Sequence, residues 1–336
     1  MTEPVRRSPL SGHAVWRSGD LDAPEWTVEF SSDQRAELVR ATRSAIEVGV
    51  RPETVSRAEF PLPGMADDIA DWTHRLAAGR GFMLLRGFPI EEFNAAEIEL
   101  AYAGLGTHFG TPVGQNKDGE LLTHVRDERL PASAGKVRLY RTRERQDFHT
   151  DGADIIGLLC LHRALRGGES RIASSGAIYN EMLSTRPELL ESMYQPMAWD
   201  RQGDVPPGEL PWFNLAPFSD VNGVPRIFYI GWYIRDAQQH PEVPRLTDHQ
   251  LEAMELLETL ANSPAFHVPM DFRPGDIQLL NNGRILHARE AYEDADDPEE
   301  RRHLLRLWLA AHSFTSLEDG LRNGIATPRR GTVEPA

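Results

Sequence analysis

Hydrophobic positions recur at helical spacing in the first third of the chain and in short runs of strand length beyond it. Between residues 31 and 48, Ala36, Leu38, Val39, Ala45 and Ile46 form an approximate apolar stripe. Ser31 or Ser32 stands just ahead of it, with a side-chain oxygen able to accept from the first free amides, so a helix is predicted to about residue 48. The same reasoning predicts helices over 66–78 and about 95–108, with the run Phe82-Met83-Leu84-Leu85 between them as a buried strand. From about residue 120 the texture changes. Apolar runs at 121–125, 136–140, 155–162, 226–230, 266–269, 277–280 and 303–311 read as strands. Turns fall at Gly167-Gly168, Asn222-Gly223, Pro274-Gly275-Asp276 and Asn282-Gly283. Two helices, at about 176–194 and 247–262, interrupt them.

Many short strands with turn punctuation predict a mainly β fold with surrounding helices (α+β), a sandwich or jelly roll rather than a parallel α/β sheet. The candidate chemistry draws on both ends of the β region, so one domain over residues 1–336 is expected: a helical part to about 80, a β core over about 80–312 and a tail at 313–336.

Charge narrows the partners. Thirty-six Lys and Arg against fifty-one Asp and Glu give a net charge of −15, which would repel a phosphate backbone or an anionic membrane, and no long basic run offsets it. Nucleic acid is therefore not an expected partner. Nothing approaches the roughly 18 apolar residues of a membrane span, and no apolar segment follows Arg6 and Arg7 as in an export signal. The one cysteine, Cys160, cannot form an intrachain disulfide. It lies in an apolar run and reads as a buried thiol, so a cytoplasmic location is expected. A homo-oligomer is compatible with the sequence.

The fragment Asp147-Phe148-His149-Thr150-Asp151-Gly152 carries the candidate chemistry. In extended backbone, residues two apart project to one face, so an imidazole and a carboxylate can meet at one point. A second histidine would complete the facial triad typical of non-haem iron(II) oxygenases. The H-x-D pattern alone is weak and occurs by chance in many chains. Among the twelve histidines, His287 stands out, because two turns and a short apolar strand ahead of it form a hairpin-like unit that could return a side chain over the sheet. A core or surface histidine is the alternative. Beyond an acidic loop, Arg301-Arg302-His303-Leu304-Leu305-Arg306-Leu307-Trp308-Leu309 read as a strand puts Arg302, Leu304, Arg306 and Trp308 on one face and Leu305, Leu307 and Leu309 on the other. Two arginines on an apolar strand either face solvent or grip anions, for which a guanidinium is suited.

With these elements in order, the sequence resembles the taurine dioxygenase family of iron(II)/2-oxoglutarate-dependent dioxygenases, the clavaminate-synthase-like branch, over about residues 80–312. The shared elements are Phe148-His149-Thr150-Asp151, Gly167-Gly168-Glu169-Ser170, Gly275-Asp276-Ile277 with Asn281-Asn282 and His287, and Arg302 with Arg306. The resemblance implies a double-stranded β-helix, or jelly roll, and iron(II) on His149, Asp151 and His287. It also implies Ser170, where the family has threonine, and Arg302 at the distal carboxylate of the co-substrate 2-oxoglutarate. Arg306 would face an anionic group of the substrate, although a longer loop before Arg302 leaves open which arginine does which. Gln115 and Asn116 fall where the family has a substrate-side loop, and equally read as ordinary polar loop residues.

The reaction so implied consumes O2 and 2-oxoglutarate, releases succinate and CO2, and oxidises a C–H bond of a small, anionic substrate by hydroxylation or desaturation. Halogenating relatives lack the carboxylate that Asp151 supplies. Two rival readings are a non-catalytic jelly-roll binding protein, which should lack a triad member or an arginine, and a zinc hydrolase on the same three ligands. No triad member is missing, and no spare general base is evident beside them.

Overall fold

The structure is a computed structural model and describes residues 7–116, 118–130, 137–221, 224–312 and 314. Local signals explain the N-terminal helices. Helix Ser32–Glu47 starts where the Ser31 hydroxyl accepts from the Gln34 amide and the Gln34 side chain accepts from the Ser31 amide. Helix Ala95–Gly106 repeats this arrangement with Asn94 and Glu97. Together with helix Ala66–Ala77 they bury Leu38, Ile69, Trp72 and Leu100 against one face of a seven-stranded sheet.

That sheet runs in the order Thr27–Glu29, Phe82–Arg86, Ile277–Asn281, Ile155–His162, His303–Ala311 and Gly110–Pro112, with Leu122–Val125 also on His303–Ala311. Its first pair is parallel and the others are antiparallel. A four-stranded antiparallel sheet orders His267–Met270, Ser170–Ser174, Ile285–Arg289 and Gln146–His149. Strand alternation sorts the long C-terminal strand as its sequence pattern predicts. Leu305, Leu307 and Leu309 join the core under the N-terminal helices. Leu304 and Trp308 join a second core with Phe148, Ile172 and Leu286 of the smaller sheet, continuing to Met182, Leu189 and Leu257 of the outer helices.

Three expected elements change. The helix expected at 176–194 is two, Ser175–Thr185 and Pro187–Met193. Pro187 has no amide hydrogen to donate and disfavours a helical Arg186, which sits at φ −145°, ψ 65°. The strand expected at 136–140 does not form over the part described: Leu139–Arg141 is a 3-10 turn whose Leu139 carbonyl accepts from the Thr142 hydroxyl and from Arg289. Residue 136 lies outside the described residues, as do the 222–223 turn and nearly all of the 313–336 tail. The strand expected at 226–230 is Val224–Ile227, after which Phe228 and Tyr229 bond to Pro217 and Thr150 and a short helix, Gly231–Ala237, begins. Among the described residues no helix is long and apolar enough to cross a membrane.

Candidate metal centre

His149 closes the strand Gln146–His149, and His287 stands directly opposite on Ile285–Arg289, with ring centroids 4.2 Å apart. Asp151 lies just past the strand end, where ladder hydrogen bonds no longer fix it. Asn282 takes over: its Oδ1 accepts from the Asp151 amide at 2.8 Å, and its Nδ2 donates to the carbonyls of Asp151 at 2.5 Å and Ala153 at 2.8 Å. One ligand atom from each of His149, Asp151 and His287 then lies within 4.8 Å of the others. The closest approaches are 3.8 Å from His149 Nε2 to Asp151 Oδ1 and 3.6 Å from His287 Nε2 to Asp151 Oδ2.

The protonation of this cluster follows from its partners. A backbone carbonyl can only accept, so His149 Nδ1 donates to Asp147 O at 2.8 Å and the Nε2 lone pair faces the cluster, where the Gln146 amide reaches it at 3.1 Å. Burial, reinforced by His287, pushes His149 down to about 3 and keeps it neutral. Burial works against a charged Asp151, yet Arg306 first, then His287 and His149, hold its carboxyl well below the usual carboxylate range. Arg306 Nη1 lies 3.4 Å and Trp308 Nε1 3.1 Å from Asp151 Oδ2. His287 Nδ1 is buried with no hydrogen-bond partner among the described residues. Two imidazoles and a carboxylate converging on one point are a donor set that suits a divalent iron, and three positions on it would remain open.

The predicted co-substrate residues sit beside this cluster. Ser170 opens the strand Ser170–Ser174 and its hydroxyl accepts from Gln278 Nε2 at 3.1 Å. Gly167 and Gly168 turn the chain ahead of it at φ +73° and +76°, and a Cβ on Gly167 would lie 2.2 Å from the Ala291 carbonyl. Arg302 is buried, with its guanidinium 5.0 Å from the centre of the Tyr292 ring. Its Nη1 has no partner among the described residues, and desolvation draws its pKa down. Ser170, Arg302, His149 and His287 line one small cavity, together with Arg306 and Arg289.

Arg306 is buried between Tyr140 and Trp308, 4.9 and 4.8 Å from the two ring centres, and donates from Nε to Gln115 Oε1 at 2.7 Å. Gln115 returns a bond to the Arg306 carbonyl at 2.8 Å, so its amide is spent on holding the arginine. Asn116 is turned elsewhere: its Nδ2 donates to Glu120, and its Oδ1 accepts from the amides of Asp118 and Glu120. A larger cavity of about 250 Å³ is lined by His149 and Asp151 as well. Its walls include Arg138, Tyr140, Trp232, Tyr233, Arg306 and Trp308. Of these, Trp308 is foreseen by strand alternation. Arg138, Trp232 and Tyr233 carry no sequence signal, whereas Arg289, two residues beyond His287, could have been found by the same alternation that pairs His149 with Asp151.

The family described as taurine catabolism dioxygenase TauD, TfdA matches residues 46–308. The chain belongs to that family. It is an iron(II)- and 2-oxoglutarate-dependent oxygenase, as the resemblance read from the sequence implies. FR-33289 synthase of Streptomyces rubellomurinus is 34% identical to this oxygenase over 315 residues, covering 91% of each chain. Asparagine oxygenase, solved with Fe(II), 3-hydroxyasparagine and succinate, shares the fold with a TM-score of 0.66 at 15% identity, over 85% of this chain and 93% of its own. The non-haem iron oxygenase OrfP, solved with iron and α-ketoglutaric acid, shares it with a TM-score of 0.58 at 13% identity, over 84% and 94%.

Proposed function

We propose that His149, Asp151 and His287 hold the iron, and that 2-oxoglutarate lies in the small cavity with its distal carboxylate on Arg302 and Ser170. The substrate, a small anionic organic molecule, would enter the larger cavity and be hydroxylated or desaturated there. One observation carries the reading: a single cavity joins the imidazole edges of the triad to a buried guanidinium with an unpartnered N–H. A buried cation costs several kcal/mol unless an anion meets it, and a carboxylate anchored there extends toward the metal ligands. The bound iron would supply the redox chemistry by which O2 and 2-oxoglutarate yield succinate, CO2 and an oxidised substrate.

The chain's own share is positioning. Asp147 and Gln146 orient the His149 ring, Asn282 fixes the backbone of Asp151, and Arg306 with Trp308 keeps that carboxylate ionised and turned inward. Arg138, paired with Asp204, and Arg306, which faces Asp151, bring positive charge to walls that also carry Asp236 and several aromatic rings. An anionic group of the substrate would share these cations while the rings take an apolar or amphipathic body. The two sheets, antiparallel but for the first pair of the larger one and sharing a core, support a double-stranded β-helix and a single domain, and the buried Cys160 fits a reducing cytoplasm. The reading is tested by supplying iron(II), 2-oxoglutarate and O2 with a panel of small metabolites and measuring succinate. Release above the substrate-free rate is expected from compounds bearing a carboxylate, sulfonate or phosphate. Release confined to neutral compounds would overturn the anionic assignment.

A further inference from the structure

We infer that Arg289 is a second contact for the distal carboxylate of the co-substrate, acting with Arg302 and Ser170; the inference rests on the placement of 2-oxoglutarate given above. Arg289 ends the strand Ile285–Arg289 two residues beyond His287, so both side chains leave the same face of the strand and line the same small cavity. Its relative exposure is 5%. Nη2 donates to the carbonyls of Leu139 and Glu144. Nε and Nη1 have no partner among the described residues, nor has Nη1 of Arg302. Neither guanidinium makes an ion pair within that set. Both lie over the ring of Tyr292, at 5.1 Å for Arg289 and 5.0 Å for Arg302.

Besides Arg306, which faces Asp151, the small cavity thus holds two buried cations without an ionic partner, three unpartnered guanidinium nitrogens and a serine hydroxyl, and among the described residues no acidic side chain lines it. Two like charges in a desolvated space repel, and unmet donors there are costly. A carboxylate has about four acceptor positions on two oxygens, enough to take bonds from both guanidiniums and from Ser170. Arg302 and Ser170 alone would leave the Arg289 donors unmet. The rival account makes Arg289 a brace for the carbonyls of Leu139 and Glu144, which flank Tyr140, a wall of both cavities. The two accounts predict opposite signs for stability without ligand.

The test compares the full-length chain with Arg289→Met, which keeps an unbranched apolar stem and removes the charged head, and with Arg289→Lys, which restores a charge. Melting temperature is measured with iron(II) under anaerobic conditions, with and without 2-oxoglutarate, and 2-oxoglutarate affinity is read from the visible charge-transfer band. For Arg289→Met the ligand-free melting temperature is expected to stay level or rise, because an uncompensated buried charge is gone. The 2-oxoglutarate Kd should rise by roughly 10- to 100-fold and the ligand-induced gain in melting temperature should shrink accordingly. Arg289→Lys should recover part of the affinity. Preference for 2-oxoglutarate over 2-oxobutyrate, which lacks the distal carboxylate, should narrow in Arg289→Met, a readout that a brace would not move. A lower ligand-free melting temperature with unchanged 2-oxoglutarate Kd and unchanged preference would overturn the inference and make Arg289 a brace. Failure of the unaltered chain to bind 2-oxoglutarate would instead overturn the placement of the co-substrate itself.

Discussion

Asn282 grips the backbone of Asp151 from both sides, accepting from its amide and donating to its carbonyl. The carboxylate needs this clamp because it stands beyond the last ladder hydrogen bond of its strand. Asn282→Ala leaves a buried amide and two buried carbonyls short of a partner, so a loss of about 3 kcal/mol of folding stability is expected by denaturant unfolding. Iron(II) affinity should fall roughly 10- to 100-fold, as when a group orienting a metal ligand is removed. Stability and affinity both within error of the unaltered chain would show that Asp151 is placed by other means.

Arg302 is expected to dominate the affinity for 2-oxoglutarate. Arg302→Ala removes the deepest cation of the small cavity, and the binding free energy read from an anaerobic titration should weaken by about 3 kcal/mol, with iron(II) binding retained. Intact affinity in Arg302→Ala, with loss in Arg306→Ala, would exchange the roles of the two arginines. Their surroundings argue against exchange, because Arg306 is already engaged by Gln115 and Asp151.

A pH effect should arise away from the metal. Burial, then the neighbouring His124, lowers His303 to about 4. A histidine kept neutral when folded resists the proton that the unfolded chain takes up near pH 6.5. Stability should therefore fall as pH drops from about 6.5 toward 4, and be fully present above that window. The part due to His303 should be at most about 2 kcal/mol once solvent screening is allowed for. The difference in unfolding free energy between the unaltered chain and His303→Gln, followed over that window, measures it; a difference independent of pH would remove His303 as the cause.

Local rules made much of this legible. Ser31 starts its helix, the 303–311 alternation divides Leu305 and Leu307 from Leu304 and Trp308, and the H-x-D fragment meets His287. What escaped depends on contacts distant in sequence. The 136–140 run has strand-like composition, but Arg289, some 150 residues on, draws the Leu139 carbonyl out of any ladder. Gln115 and Asn116 are adjacent and chemically alike, yet one is buried holding Arg306 and the other closes a surface turn. The break at Pro187 was visible in the sequence and follows from proline's missing donor. Helix Gly231–Ala237 begins at Ile230 with no side-chain cap to announce it.

The central claim, that the two facing imidazoles and the clamped carboxylate form the iron site, is tested most directly by anaerobic iron(II) titration of the unaltered chain beside His149→Ala and His287→Ala. About one iron(II) per chain is expected for the unaltered protein, with tight binding lost in each variant while far-ultraviolet circular dichroism remains that of the folded chain. Unchanged iron affinity in both variants would contradict the account.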